Sequence, residues 1–307
     1  MRSLVIDTDT ASDDAVALMM ALRHPDVRVE AITVVAGNVG LDQAVQNALY
    51  VADLCGRREI PVHAGATRPL LADLLTSRGV HGRDGMGDIG LPVRGRSPAD
   101  GHAVDVLIDT FLARPGEIDL VTLGPLTNVA LAFSRAPELV AAIRHCYIMG
   151  GTGAGHGNVT PLAEFNFWVD PEAAAIVVRA DMPKTIIGWD IAVTSTVFGP
   201  EDAARLRAIG TPYAEVAVDC QAVLDGYAVD TGLAGFDLPD PVAMAVALDP
   251  SIAEGVDVHV GVLTGDGPAR GVQSTDWRHT SGQAPNAHVV RQVPRERFMD
   301  ALLIGLS

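Results

Sequence analysis

The sequence predicts an α/β fold: an open, mainly parallel central sheet flanked by helices. Three observations carry that expectation. Runs rich in Val, Ile and Leu alternate with helix-patterned runs over the first two-thirds of the chain. Several of the apolar runs end in a Gly, Asn or Asp turn that opens directly into a helix pattern. The 307 residues, 48% of them hydrophobic, supply core enough for one large domain, and residues 1–307 are read as undivided.

Residues 3–7 read as the first strand and 14–23 as the first helix, the latter beginning Asp-Ala-Val-Ala-Leu. Strand 27–35, helix 42–54 and the short strand 62–64 follow. Residues 77–96, rich in Gly and charge, form the longest stretch without a regular pattern, and loops of that length in compact domains commonly cover a site, so a lid is expected there. Helix 103–112 places Val106, Leu107, Thr110 and Phe111 on one face at helical spacing. Then come strand 118–123, helix 126–135, strand 146–149, helix 171–180 and strand 184–188. After Pro200 the pattern turns helical, over 201–209, 213–227 and 241–248, and the part 200–255 is expected to lie over the site. A β-rich tail (256–263 and 288–293) and a closing helix over 297–304 complete the chain. The alternation argues a sheet covered on both faces.

Lys and Arg number 22 against 38 Asp and Glu, a formal charge of -16. Such a surface repels phosphate backbones, so nucleic-acid polymers and anionic membranes are poor partners. Lys184 is the sole lysine, hence the sole candidate for Schiff-base or phosphate-gripping chemistry. Cys55, Cys146 and Cys220 are far apart, odd in number and without metal-binding spacing, which suits reduced thiols of a cytoplasmic protein. The chain enters a strand at once, so no signal peptide is expected, and no apolar run approaches membrane-spanning length.

Asp7, Asp9, Asp13 and Asp14 crowd the turn between the first strand and first helix. Open α/β sheets bind ligands at that edge. One or two of these acids could cap the helix, where negative charge is favoured, and Asp13 or Ser12 suits that role. Four like charges so close need a neutraliser, and a hard divalent cation with oxygen ligands answers best. An EF-hand is excluded because counting from Asp7 puts Ser12 and Leu18 where that loop needs Gly and Glu. There is no GxSxG, no HExxH, and the glycines after Met149 do not form a dinucleotide fingerprint.

Other strand ends carry chemistry of their own. Gly37-Asn38, read alone, is a turn. Leu123-Gly124-Pro125 bends sharply enough to leave carbonyls in the strand-end crevice, and backbone carbonyls are good Ca²⁺ ligands. Asn158, Glu164 and Asn166 stand among Phe165, Phe167 and Trp168, a mixture that suits a sugar with several hydroxyls but also a surface loop. His81 lies in the Gly-flanked part of the expected lid, where site groups are common. Asp240 opens a helix between Pro239 and Pro241, as a cap or as a distant arm of the metal site.

In this order the motifs resemble the inosine–uridine-preferring nucleoside hydrolase family: Asp7-x-Asp9-x-x-x-Asp13-Asp14, Gly37-Asn38, His81-Gly82-x-Asp84-Gly85, Gly124-Pro125-Leu126-Thr127-Asn128, Met149-Gly150-Gly151, Glu164-Phe165-Asn166, Asp170-Pro171-Glu172 and Asp240-Pro241. The resemblance spans nearly the whole chain and implies a Rossmann-like core. It implies one Ca²⁺ at the base of the pocket, held by Asp9, Asp14, Asp240 and the carbonyl of Leu123. Asp9 would also take the proton from the attacking water. Asp13, Asn38, Asn158, Glu164 and Asn166 would grip the ribose hydroxyls, with Asp7 orienting the cluster. The implied reaction is hydrolysis of ribonucleosides to base and ribose through an oxocarbenium-like transition state, in a homodimer or homotetramer.

One position departs from that pattern. Many members carry His just before the last calcium-binding Asp, to protonate the leaving base; here it is Pro239. His81 and Tyr227, and more weakly His156, are the substitutes expected. Trp189 or Trp277 would stack on the base, which tilts the expectation toward purine nucleosides. Two other readings compete. A phosphatase resembling the haloacid dehalogenase superfamily would use Asp7, Asp9 and Mg²⁺, with Lys184 and Asp190 as its later motif, but it leaves Asp13 and Asp14 without a role. A protein that binds ribosides without cleaving them would explain Pro239.

Overall fold

The computed structural model describes residues 1–93, 95–153, 155–231 and 235–307, apart from the side chains of Ser195, Tyr227 and Thr231. The strands are β1 (Arg2–Thr8), β2 (Val27–Val34), β3 (Val62–Ala64), β4 (Ile118–Thr122), β5 (His145–Met149), β6 (Lys184–Ile187), β7 (Glu254–Val258), β8 (Val260–Val262), β9 (Gln273–Thr275) and β10 (Ala287–Gln292). Eight of them form one sheet in the order β3-β2-β1-β4-β5-β6-β10-β7, parallel throughout except for the β10–β7 pair. The expected α/β architecture is present.

Strand order reverses at β1. Asp7 pairs with Thr33 of β2 on one side and Thr122 of β4 on the other. A crevice therefore opens beyond the carboxyl ends of β1 and β4, the place where such sheets bind ligands. Side-chain alternation along β1 feeds both cores: Leu4 and Ile6 pack into one apolar cluster and Val5 into the other. The helix Ser12–Arg23 is buried over Ser12–Leu22, with the helices Pro239–Leu248 and Arg295–Leu306 packed on it. A helix apolar all round belongs in the middle of a protein, and it fixes the acidic turn rigidly at the sheet edge.

Some elements differ from the sequence expectation for physical reasons. The helix expected over 213–227 is two, Pro212–Asp219 and Ala222–Thr231. At the break, Gln221 Nε2 donates to the Ser12 carbonyl at 2.9 Å, docking the joint on the first helix. The strand expected over 256–263 is also two: β7 pairs with β10, whereas β8 pairs with β9 in a separate ribbon. Residues 77–96 include the helix Arg78–His81 and are tied down at several points. Met86 is fully buried, and Arg96 bridges Asp53 and the carbonyls of Leu49 and Arg58. Cys55, Cys146 and Cys220 are free and buried.

Candidate active site

The turn after β1 holds its acids in four different ways. Asp7 Oδ1 accepts Thr33 Oγ1 at 2.6 Å and Asn128 Nδ2 at 2.9 Å. Asp9 Oδ2 accepts the backbone N–H of Asn38 at 2.6 Å. Asp14, not Asp13 or Ser12, does the capping: its Oδ2 accepts the N–H of Ala11 at 2.9 Å, and its Oδ1 accepts Thr8 Oγ1 at 2.5 Å. Asp13 Oδ1 lies 3.7 Å from His81 Nδ1. Glycine makes room for this arrangement. A Cβ on Gly124 would stand 2.6 Å from Asp9 Oδ1, and one on Gly37 would collide with Asp9 Oδ2.

All four carboxyls and Asp240 are buried, and burial raises every one of their pKa values. Asp7 and Asp13 are pushed to about 7 and Asp14 to about 6. Asp9 and Asp240 are raised well above the ordinary carboxylate value by burial first and by the neighbouring Asp14 second. Asp9 Oδ1, Asp13 Oδ1 and Asp7 Oδ2 are buried without a hydrogen-bond partner among the described residues. One carboxylate oxygen each from Asp13, Asp14 and Asp240 lie within 4.8 Å of one another. Hard oxygen donors left unsatisfied in a buried acidic cluster fit a divalent cation. Of the expected ligands, Asp14 and Asp240 are brought together with Asp13. Asp9 is pinned by Asn38, and the Leu123 carbonyl accepts Asn166 Nδ2 at 2.7 Å.

Asp13 and Asp240 of the cluster line a cavity of about 350 Å³, within the usual range for small-molecule sites. Asp13, Asn38, Leu123, Asn158, Glu164 and Asn166 line its strand-end wall. Glu164 caps the short helix Phe165–Val169, accepting the N–H groups of Asn166 at 2.8 Å and Gly151 at 2.7 Å. Burial pushes its pKa to about 7. Asn158 Oδ1 accepts the N–H of Phe165 at 2.9 Å. Asn38 Oδ1 is bonded to Ser77 Oγ, so the segment 77–81 is moored beside the crevice.

Val80, His81, Trp189, Leu224, Phe236 and Asp237 also line the cavity. His81 Nδ1 is 2.9 Å from Ser12 Oγ, and burial pushes its pKa down to about 4. Trp189 Nε1 donates to Asp237 Oδ2 at 2.5 Å. The side chain of Tyr227 lies outside the described residues. His156 and Trp277 do not line the cavity among the described residues; Trp277 Nε1 instead donates to the Gly153 carbonyl at 3.2 Å. Ser77 and Asp237 were not singled out by sequence reasoning. Asp237 is legible only as a second acid three residues ahead of Asp240.

Lys184 does not reach the crevice. Its Nζ donates to the carbonyls of Ala180 and Asn286 at 2.7 Å each, a structural use that removes the later motif of the phosphatase reading. Among the described residues no helix is long and apolar enough to cross a membrane.

Comparison with known proteins agrees with this geometry. The family model for inosine-uridine preferring nucleoside hydrolase matches residues 4–300. A pyrimidine-specific ribonucleoside hydrolase RihA from Salmonella schwarzengrund is 38% identical over 301 residues, covering 97% of this chain and 96% of that protein. Among solved structures, the plant nucleoside hydrolase PpNRh1 superposes with a TM-score of 0.92 at 32% identity, covering 99% of this chain and 98% of that one. A purine-preferring ribonucleoside hydrolase from Gardnerella vaginalis gives the same TM-score, identity and coverage. These matches displace both the phosphatase and the non-catalytic readings. The chain belongs to the inosine-uridine preferring nucleoside hydrolase family, whose members are N-glycosyl hydrolases acting on ribonucleosides.

Proposed function

We propose that this crevice hydrolyses the N-glycosidic bond of ribonucleosides in a calcium-dependent reaction and favours purine ribosides. The observation that carries the reading is the set of buried, unpartnered carboxylate oxygens beside a cavity lined by amides, carboxyls and apolar and aromatic groups. A ribose has hydroxyls for the polar groups, and a base has a ring for the apolar ones.

Asp9, Asp14, Asp240 and the Leu123 carbonyl would hold the cation, with Asp13 beside them. When bound, a divalent cation neutralises the cluster and makes water a stronger acid. Asp9 takes the proton of the attacking water, its Oδ2 held by the Asn38 N–H and its Oδ1 without a partner among the described residues. Asp13, Asn38, Asn158, Glu164 and Asn166 hold the ribose hydroxyls and fix C1′. The carboxylates around the sugar stabilise the positive charge that develops as the C1′–N bond breaks. His81 and Tyr227 are assigned to the leaving-base side, and Trp189 is the surface on which the base lies.

The purine preference rests on Trp189, because the larger ring system gains more from an aromatic face. Residues 77–96 are read as the cover of the site and 200–255 as its outer wall, within a single domain 1–307. The reading extends to a homodimer or homotetramer in the cytoplasm, where buried free thiols stay reduced. The test is release of base and ribose from inosine, adenosine, guanosine, uridine and cytidine, with calcium and with EGTA. Calcium-dependent release with a purine riboside fastest is the expected result. Release insensitive to EGTA would refute the metal, and uridine or cytidine fastest would refute the base preference.

A further inference from the structure

Pro239 stands immediately before Asp240, and a proline ring has no N–H to offer a leaving group. The same turn, however, presents another acid. Asp237 lines the same cavity as Asn38, Glu164 and Asn166. Trp189 holds its Oδ2 through the indole N–H at 2.5 Å, which fixes the carboxyl in the cavity wall. Val80, Leu224 and Phe236 line the cavity with it.

We propose that Asp237 is the proton donor to the departing base. Its carboxyl proton passes to a base nitrogen as the C1′–N bond breaks and that bond's electron pair moves onto the base. Water supplies its oxygen to C1′ and its proton to Asp9, so riboside plus water gives ribose plus neutral base. The proton on Asp9 then returns to solvent, and solvent reprotonates Asp237. The assignment rests on the hydrolase reading above and deepens it.

The surroundings favour the acid form of Asp237. Burial raises its pKa, with the Trp189 hydrogen bond opposing. Among the described residues, the titratable groups facing it are His81 from the helix Arg78–His81 and Asp13 from the helix Ser12–Arg23, with Asp240 on its own turn. His81 Nδ1 is 2.9 Å from Ser12 Oγ and 3.7 Å from Asp13 Oδ1, which commits that nitrogen to the acidic turn.

The test compares wild type with Asp237→Asn on two substrates: the fastest nucleoside of the panel, and p-nitrophenyl β-D-ribofuranoside, whose leaving group departs as a stable anion. Asp237→Asn is expected to lower kcat for the nucleoside about 100-fold or more while leaving p-nitrophenyl riboside within about 3-fold of wild type, the range typical for loss of a general acid. Asp237→Glu should recover part of the nucleoside rate. An equal fall on both substrates, or no fall, overturns the proposal. If Asp237→Asn fails to fold, the wild-type pH profiles decide. A basic limb in kcat for the nucleoside that is missing for p-nitrophenyl riboside supports Asp237; the same limb for both, or none, overturns it. A wild type that cleaves neither substrate overturns the hydrolase reading itself, an outcome separate from those above.

Discussion

The backbone N–H of Asn38 donates to Asp9 Oδ2 at 2.6 Å, so the loop that brings an amide side chain to the crevice also fixes the carboxylate assigned to activate water. The two functions separate by mutation. Asp9→Ala should abolish turnover and weaken calcium together. Asn38→Ala keeps the backbone donor, so calcium affinity should hold while KM rises roughly tenfold, as expected for one lost hydrogen bond to substrate. Calorimetric calcium titration beside steady-state kinetics checks both, and wild-type turnover in Asp9→Ala would refute the mechanism.

Gly124 packs against the other oxygen of the same carboxylate. Gly124→Ala places a methyl 2.6 Å from Asp9 Oδ1, and the carboxylate must move. The expected outcome is a folded protein with kcat/KM down by about 100-fold, since small misplacements of a reacting group cost that much. Circular dichroism and kinetics on the purified variant measure it.

Stability without metal should fall as pH rises. Asp7, Asp13, Asp14 and Glu164 all titrate higher when folded, at about 6 to 7, than their ordinary 3.8 and 4.5. Between about pH 4 and pH 7 these acids leave the unfolded chain with fewer protons than the native one, and stability is lost across that window; His81, lowered to about 4 when folded, works the other way as one group against four. Thermal melts in EGTA should show Tm dropping over this range. Calcium should raise Tm most at the upper end, where the acids are ionised. A Tm that rises from pH 4 to 7 in EGTA would contradict the burial of these groups.

Asn128 ties β1 and β2 to the loop after β3. Its Nδ2 donates to Asp7 Oδ1 at 2.9 Å and to the Val34 carbonyl at 3.1 Å, and its Oδ1 accepts the N–H of Ala66 at 2.8 Å. Asn128→Ala strands those buried groups and should cost at least about 1–3 kcal/mol of unfolding free energy in urea melts.

Trp189 has two separable properties. Trp189→Phe keeps a ring but loses the donor to Asp237, whereas Trp189→Ala loses both. Purine preference should survive in the first and narrow in the second when the five-nucleoside panel is repeated. Equal profiles for both variants would show that the ring is not what selects the base.

The acidic turn, the strand ends and most of the crevice were legible because each is local: a strand, a turn and a helix start within a dozen residues. Asp7-x-Asp9-x-x-x-Asp13-Asp14 falls at the switch point of the sheet, where its spacing put it. What depended on tertiary contact was hidden. Nothing in the chain announces that Ser77 will bond Asn38, that Trp189 will hold Asp237, or that Gln221 will break a helix to reach Ser12. The helix Phe165–Val169 was missed because five residues are too few to display a period. Asp14 taking the capping role was ambiguous among neighbouring acids until the backbone direction was known.

Lys184 is buried between the Ala180 and Asn286 carbonyls, and no other lysine exists in the chain. The native surface therefore offers amine-directed reagents no lysine side chain. Modification at that position waits on an opening that frees the amine from the two carbonyls, so the rate of acylation at Lys184 reports opening at the start of β6.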